Sequence, residues 1–158
     1  MIYPQSSDYK KNNYDLRISV ATVNLESTVF TSLPGVKRIL TVLEGELTLV
    51  HEGQHEAVLQ AYQQDYFQGD WTKRSTGKVR DFNVIWKAGN TSVEHKLYAA
   101  NSVFSLEAKN QLNFCLLARG SFISNNETIN TNDTVVMSGS LAIKTIEQCE
   151  VLHVSFDY

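Results

Sequence analysis

The sequence predicts an all-β fold, a sandwich or closed barrel with little helix. Short apolar or alternating runs recur along the chain, and each run ends at Gly, Asn, Asp or Ser. No long window keeps apolar residues at the i, i+3, i+4 and i+7 spacing that marks an amphipathic helix. The only prolines are Pro4 and Pro34, so Gly, Asn and Asp supply most of the turns. Many short strands at regular spacing are typical of a sandwich or barrel.

In the first half of the chain, six segments combine a short apolar or alternating pattern with flanking turn residues. The predicted strands are 15–22, 38–43, 47–51, 57–60, 65–67 and 81–87. Segment 15–22 alternates apolar and polar side chains, as a strand with one buried face does. Segment 38–43 is apolar after its first residue except at Thr41, and Gly45 separates it from the next strand. Pro34-Gly35 predicts a turn just before this pair of strands.

The second half contains eight segments with the same properties. The predicted strands are 93–97, 102–106, 113–118, 121–124, 127–129, 134–137, 140–145 and 150–156. Gly120 separates the apolar segment 113–118 from the strand that follows it, as Gly45 does in the first half. A hairpin at such a position often requires a positive φ, which glycine adopts at low cost.

These similarities extend to an internal repeat. Ile39 to Gly45 aligns with Phe114 to Gly120, because each is an apolar strand that ends in a charged residue and a glycine. Downstream, Asp65-Tyr66-Phe67 aligns with Asp133-Thr134-Val135. The repeat predicts two similar halves packed into one unit.

Length and composition are those of one ordinary globular domain. The 158 residues predict a single domain over 1–158, with halves at about 15–88 and 100–158. A net charge of −3 and a pI of about 5.8 provide no basic field for nucleic acid or an anionic membrane. The apolar runs are too short to span a bilayer, and the N-terminal segment is polar. We therefore expect a cytoplasmic protein without nucleic-acid or membrane partners.

Cysteine and histidine placement argues against redox or metal chemistry. Cys115 lies in an apolar run, and no disulfide with Cys149 is expected in a cytoplasmic protein. A His-x-His pair, which a strand would point in one direction, is absent from the sequence. His51 and His55 are four residues apart among polar residues, which predicts a solvated hairpin loop. His95 is expected to be exposed. We predict no metal and no other cofactor.

A set of polar residues inside otherwise apolar strands predicts a small-molecule site. Arginine suits a carboxylate because its planar fork donates two parallel hydrogen bonds, and asparagine adds a donor and an acceptor. A barrel interior lined by such groups and aromatic rings is a plausible pocket for a small polar ligand. The candidate ligand-binding residues are Arg17, Ser19, Arg38, Phe67, Asp70, Asp81 and Asn83.

Each of these residues also has a purely structural interpretation. Arg38 and Asp81 can pair with each other and close one end of the barrel. Arg17 can lie on a solvated outer face, Asp70 can cap a turn, and Phe67 can belong to the core. The pattern alone does not decide between the two interpretations. No Gly-x-Ser-x-Gly elbow or phosphate-binding glycine loop is present, so no catalytic residue is assigned.

Four segments in order resemble the HutD/Ves family. They are Leu33-Pro34-Gly35-Val36-Lys37-Arg38, Ile39 to Gly45, Phe67-Gln68-Gly69-Asp70 and Asp81 to Ile85. The resemblance implies a cupin-like fold of two halves (a bicupin) and a non-enzymatic role in binding a small molecule. In some members that role is tied to regulation of histidine utilisation, and other members are associated with stress. This chain departs from the family pattern at Lys37, where Asp is usual, and at Trp86-Lys87, where arginines are usual.

The leading hypothesis is a metal-free cupin-like protein that binds a small anionic metabolite between its halves. Arg38 is then the partner of the anion, with Asp81, Asn83 and Arg17 around it. One alternative is an isomerase or lyase that uses Asp70 or Asp81 as general base. Another is an interaction module that acts as a homodimer.

Overall fold

The structure is a computed structural model that describes residues 1–8, 13–24, 27–29, 32–108 and 112–157. Within these residues it contains seventeen strands and no helix, which confirms the predicted all-β class. The chain divides into two compact units, unit 1 (Met1–Ala88) and unit 2 (Gly89–Tyr158). No helix in the described part of the chain is long and apolar enough to cross a membrane.

Unit 1 contains nine of these strands in two sheets. They are β1 (Ile2–Tyr3), β2 (Leu16–Val23), β3 (Ser27–Val29), β4 (Lys37–Gly45), β5 (Leu47–His51), β6 (His55–Leu59), β7 (Gln64–Gln68), β8 (Lys73–Thr76) and β9 (Val79–Trp86). One sheet has the order β1-β2-β9-β4-β7 and the other β3-β8-β5-β6. The sheets pack face to face through an apolar cluster that includes Leu40 and Phe67 of the first and Leu47 and Leu49 of the second.

Unit 2 repeats this arrangement with eight strands. They are β10 (Asn90–Tyr98), β11 (Val103–Leu106), β12 (Leu112–Arg119), β13 (Ser121–Ser124), β14 (Glu127–Asn130), β15 (Thr134–Met137), β16 (Leu141–Thr145) and β17 (Cys149–Asp157). The sheet orders are β10-β17-β12-β15 and β11-β16-β13-β14. Strand for strand, these orders match those of unit 1 once the additional β1 is set aside. The two similar halves predicted from the sequence therefore share one topology.

The two equivalent glycines, Gly45 in unit 1 and Gly120 in unit 2, show why the repeat is visible in the sequence. A register shift follows Val42 in β4 and Leu117 in β12; β4 ends at Gly45 and β12 ends just before Gly120. Gly45 has φ +89° and Gly120 has φ +97°, conformations that other residues rarely adopt. A Cβ atom at Gly45 would lie 2.4 Å from the carbonyl oxygen of Lys78, and one at Gly120 would lie 2.3 Å from that of Gln148. Both the conformation and the space exclude a side chain at these positions.

All fourteen predicted strands are present, with ends that differ by three residues or fewer. The sequence prediction missed β1, β3 and β8. β1 has two residues and β3 has three, which is too short for a period to be read. β8 has the sequence Lys-Arg-Ser-Thr, which lacks apolar residues, yet it pairs with β5 on one side and β3 on the other. Partner strands rather than local pattern place these three segments in the sheets.

Candidate functional site

The register of the central strands of unit 1 brings the predicted polar residues onto one face. Arg17 of β2 and Arg38 of β4 both lie opposite Ile85 of β9. Directly opposed residues point to the same side of a sheet. Ser19 lies opposite Asn83, which has Leu40 on its other side. Since Leu40 belongs to the apolar cluster between the two sheets, this face is the interior of unit 1.

A buried hydrogen-bond chain joins three of these residues. Arg38 Nη2 donates to Asn83 Oδ1 at 2.6 Å, and Asn83 Nδ2 donates to Asp81 Oδ1 through a short hydrogen bond. The exposed fractions are 6% for Arg38, 2% for Asp81 and 6% for Asn83. The guanidinium carbon also lies 5.1 Å from the centroid of the Phe67 ring. Asn83 therefore mediates between the arginine and the acid, which the sequence had paired directly in its structural interpretation.

Burial shifts the pKa values of both charged groups towards neutrality. It raises the pKa of Asp81 from 3.8 to about 6, against the opposing effects of the Arg38 charge and the Asn83 hydrogen bond. It lowers the pKa of Arg38 from 12.5 to about 10, with Asp81 opposing and Arg17 adding to the shift. That Arg17 contributes at all is consistent with the two guanidinium groups sharing one face. Arg38 remains charged at neutral pH.

Of the four remaining predicted residues, three lie on or against this interior face and one lies elsewhere. Arg17 and Ser19 are half-buried on the same face as the buried chain. Phe67 of β7 is fully buried and belongs to the core cluster as well as lying beneath Arg38. Asp70 lies exposed in the turn after β7, outside the strands that carry the other candidates. Six of the seven candidates thus lie on or against one interior face.

The expectation of a solvated loop for His51 and His55 is wrong for His51, whose exposed fraction is 2%. The two residues are an opposed pair at the end of the β5–β6 hairpin. The Nε2 atom of His51 lies 2.7 Å from Asp65 Oδ2, and that of His55 lies 2.9 Å from Asp65 Oδ1. The search for His-x-His on one strand missed this cluster, because an i, i+4 pair also converges when a hairpin closes between its members. The sequence did contain a signal that His51 is buried: it alternates with Leu47 and Leu49, which places all three on the same face of β5.

A groove of about 300 Å³ lies elsewhere in unit 1. It is open and lies beside the start of β9, whereas Arg38 is opposite Ile85 near the end of that strand. Its charged residues are Glu44, Lys78 and Arg80. Arg80 Nη1 forms an ion pair of 2.7 Å with Glu44 Oε1. The groove contains none of the predicted site residues and is a second place where a small anion has cations within reach.

Unit 2 has an asparagine–histidine pair where unit 1 has the Arg38–Asn83–Asp81 hydrogen bonds. Asn113 and His153 stand in β12 and β17 where Arg38 and Asn83 stand in β4 and β9, as the two registers show. Asn113 Oδ1 lies 3.1 Å from His153 Nε2, and both residues are buried. Val151 occupies the position of Asp81. Among the described residues, this charged arrangement is thus a feature of unit 1.

Comparison with known proteins identifies related sequences and folds. A family model described as HutD matches residues 1–153. No curated protein sequence matches the chain. A conserved protein of unknown function from Pseudomonas aeruginosa PAO1 is 21% identical, with a TM-score of 0.79 over 97% of this chain and 86% of that one.

Two further solved structures are similar. HutD from Pseudomonas fluorescens SBW25, determined in a formate condition, is 23% identical, with a TM-score of 0.67 over 90% of this chain and 80% of its own. A cupin 2 conserved barrel domain protein from Leptotrichia buccalis is 8% identical, with a TM-score of 0.56 over 90% of this chain and 84% of its own. At these identities the structural matches establish a cupin-like fold.

Proposed function

The chain belongs to the HutD family, and we propose that it binds a small anionic metabolite in the interior of unit 1. The observation that carries the proposal is the placement of Arg17 and Arg38 on one interior face, both opposite Ile85. Asp81 is the acid that accepts a hydrogen bond from Asn83, the residue to which Arg38 donates. A bound carboxylate would add negative charge beside two guanidinium groups, in surroundings where charge interactions are stronger than in water.

Access to this site runs along the β2 side. Arg38 and Asn83 are buried, whereas Arg17 and Ser19 are half-buried and lie on the adjoining strand. Arg17 therefore makes the first contact with an incoming anion, and Arg38 holds the position deeper in the unit. Arg38 donates to Asn83 Oδ1 through Nη2, and this hydrogen bond helps to orient its guanidinium group.

The ligand class that we propose is a small carboxylate derived from amino-acid breakdown, with histidine utilisation as the process regulated. Family membership supports the link to histidine. We place this regulation in the cytoplasm. The departures at Lys37 and Trp86-Lys87 lie at the ends of β4 and β9, close to Arg38, and so favour an acid different from the one other members bind.

Thermal unfolding in the presence of small carboxylates tests the proposal. Formate, dicarboxylic acids and imidazole-containing acids are added to the full chain, with the corresponding amides as uncharged controls. A ligand that binds only the folded state raises Tm in a concentration-dependent manner. We expect a shift with at least one acid and none with its amide.

Three variants locate the effect. Arg17→Gln removes the half-buried cation, and Arg38→Lys keeps the charge but loses the planar fork. Both are expected to weaken binding, whereas Arg80→Gln tests the open groove at the start of β9. Tm shifts that survive in Arg17→Gln and Arg38→Lys but disappear in Arg80→Gln would move the site to that groove. The absence of a shift with any acid would contradict the proposal.

A second candidate function rests on Asp81. Its pKa of about 6 suits a general base near neutral pH. We propose, as the alternative, an isomerase or lyase in which Asp81 removes a proton from the bound acid. Turnover that is lost in Asp81→Asn and kept in Asp70→Asn would support it, because Asp70 lies exposed in a turn.

A further inference from the structure

We propose that His51, His55 and Asp65 of unit 1 form a binding site for one divalent transition-metal ion. Each residue offers one ligand atom, and these atoms all lie within 4.8 Å of one another. None of the three proposed ligands is a residue assigned to the anion site.

The fold explains why the three residues converge. His51 and His55 close the β5–β6 hairpin as an opposed pair, so their side chains leave the sheet on the same side. Asp65 comes from β7 in the other sheet, where it lies opposite Leu40 on the interior face. The cluster therefore joins the two sheets of unit 1, and its geometry is set by the packing of both.

The Nε2 atoms of both imidazoles are directed at one carboxylate. His51 Nε2 approaches Asp65 Oδ2 at 2.7 Å, and His55 Nε2 approaches Asp65 Oδ1 at 2.9 Å. Zinc binds nitrogen and oxygen at about 2.0–2.2 Å, so ligands of one ion lie roughly 3–4 Å apart. A movement of about 1 Å in these side chains is then enough for a cation to take the place of the hydrogen-bonding protons between the imidazole nitrogens and the Asp65 carboxylate.

The surroundings hold the ligands in place and leave one side open. The His51 side chain is inaccessible to solvent, and its ring lies 4.6 Å from that of Phe67 and 5.6 Å from that of Trp71, centroid to centroid. The His55 ring lies 5.8 Å from that of Trp71, while its side chain is 37% exposed. Packing fixes the ring planes, and the exposed edge at His55 gives an ion access from solvent.

The ligand chemistry selects the class of ion. Imidazole suits zinc, copper, iron and nickel, whereas magnesium and calcium prefer oxygen ligands. Two histidines and one carboxylate leave coordination positions for water or a small anion. The competing interpretation is a metal-free clamp, in which Asp65 only ties the hairpin to β7 by hydrogen bonds.

Titration of the EDTA-treated full chain with Co²⁺ distinguishes the two interpretations. Cobalt reports its coordination through visible absorption, and Zn²⁺ then competes for the same site because it binds more tightly in the series of divalent ions. We expect one Co²⁺ per chain, displacement by Zn²⁺, and a higher Tm with Zn²⁺ than with EDTA. The same titration with Mg²⁺ should raise neither absorption nor Tm.

His55→Ala and Asp65→Asn are the diagnostic variants. His55 is partly exposed, and Asn keeps the shape of Asp, so each can be checked for folding by its Tm in EDTA. Loss of either ligand should weaken Co²⁺ binding by more than the roughly 10–100-fold that loss of an outer-shell partner costs. The matched control is His95→Ala in unit 2, where His95 pairs with Glu150 and the described part of the chain supplies no third His, Cys, Asp or Glu within metal-binding distance.

Absence of Co²⁺ absorption in the unaltered chain would establish the metal-free clamp and overturn the proposal. Unchanged affinity in His55→Ala or Asp65→Asn, or a loss in His95→Ala, would overturn it as well. These outcomes are independent of the carboxylate experiments, since Arg17 and Arg38 remain in place in every metal variant.

Discussion

Asp81 titrates near neutral pH because burial opposes its charge more strongly than Arg38 and Asn83 support it. Its pKa in the folded chain is about 6, compared with 3.8 for an unperturbed group. The folded state therefore holds the Asp81 proton at pH values where the unfolded state has released it. Between about pH 4 and pH 6 the folded chain binds more protons, so this group makes the protein less stable as the pH rises.

This fall in stability with rising pH predicts how Asp81→Asn should behave. Relative to the variant, the native chain should lose unfolding free energy as the pH rises from 4 to 7, by about 3 kcal/mol from a shift of roughly two pKa units. Urea unfolding of both proteins at intervals of one pH unit measures the difference in unfolding free energy. The contributions of the other titrating groups cancel in that difference. A difference that is independent of pH, or that grows in favour of the native chain, would contradict the pKa assigned to Asp81.

Arg38 is predicted to stabilise the interior even if no ligand binds there. At pH 7, Arg38→Met leaves a buried acid and the Asn83 carbonyl oxygen without their cation, which should cost about 3–5 kcal/mol in urea unfolding. The matched control is Arg80→Met, because Glu44, the partner of Arg80, has a side chain that is 70% exposed. That pair should contribute about 1 kcal/mol or less. Equal losses in the two variants would show that the Arg38 chain adds nothing beyond an ordinary surface pair.

At the scale of elements, the glycine of the Phe-Gln-Gly-Asp segment ties two parts of unit 1 together. The Gly69 amide donates to the carbonyl oxygen of Val36 at 2.8 Å, and its carbonyl oxygen accepts from the Leu33 amide at 2.8 Å. A Cβ atom at Gly69 would lie 2.2 Å from the Leu33 carbonyl oxygen and 2.4 Å from Val36 Cγ2. The segment before β4, and hence the start of the strand that carries Arg38, is positioned by this close approach.

Gly69→Ala is therefore expected to lower stability by about 1–3 kcal/mol through overpacking. Gly139→Ala is the control, since a Cβ atom there meets nothing within 4 Å and its φ is not positive. That change should stay within about 0.5 kcal/mol. Chemical unfolding of the two variants at one pH compares them directly, and a Gly69→Ala protein as stable as Gly139→Ala would refute the packing argument.

The strands and the interior polar residues could be predicted because both depend on local pattern. Alternation in 15–22 puts Arg17 and Ser19 on one face, and the two-residue spacing of Asp81 and Asn83 does the same on β9. The hydrogen bond from Arg38 to Asn83 depends on the register between β4 and β9, which no local pattern contains. β8 and the His51–His55–Asp65 cluster were missed for the same reason: each exists because distant strands pair or pack.

For the whole molecule, the two units share a topology but differ in the polarity of their interiors. Arg38, Asn83 and Asp81 in unit 1 correspond to Asn113, His153 and Val151 in unit 2. Unit 2 has no arginine or carboxylate at these three positions, whereas unit 1 bears the cost of burying both. Retention of charged groups in one of two otherwise similar interiors is what we expect when that interior has a binding function.

Unit 2 also contains both cysteines, and their burial predicts how slowly they react. Cys115 and Cys149 are free thiols with exposed fractions of 0% within the apolar core of that unit. Burial, with a smaller contribution from Cys149, raises the pKa of Cys115 to about 12, and burial also raises that of Cys149. Because the thiolate is the reactive form, two separate barriers, access and ionisation, protect these groups in the folded chain.

Ellman's reagent at pH 8 should therefore detect no thiol in the folded protein and two per chain in concentrated guanidinium chloride. Reaction has to pass through opening of unit 2, so labelling should be at least about 1,000-fold slower than for a free thiol. Both tryptophans, Trp71 and Trp86, lie in unit 1, which allows fluorescence to follow that unit separately while labelling follows unit 2. Rapid labelling of either cysteine under native conditions, with the tryptophan fluorescence unchanged, would show that the core of unit 2 is more open than its packing requires.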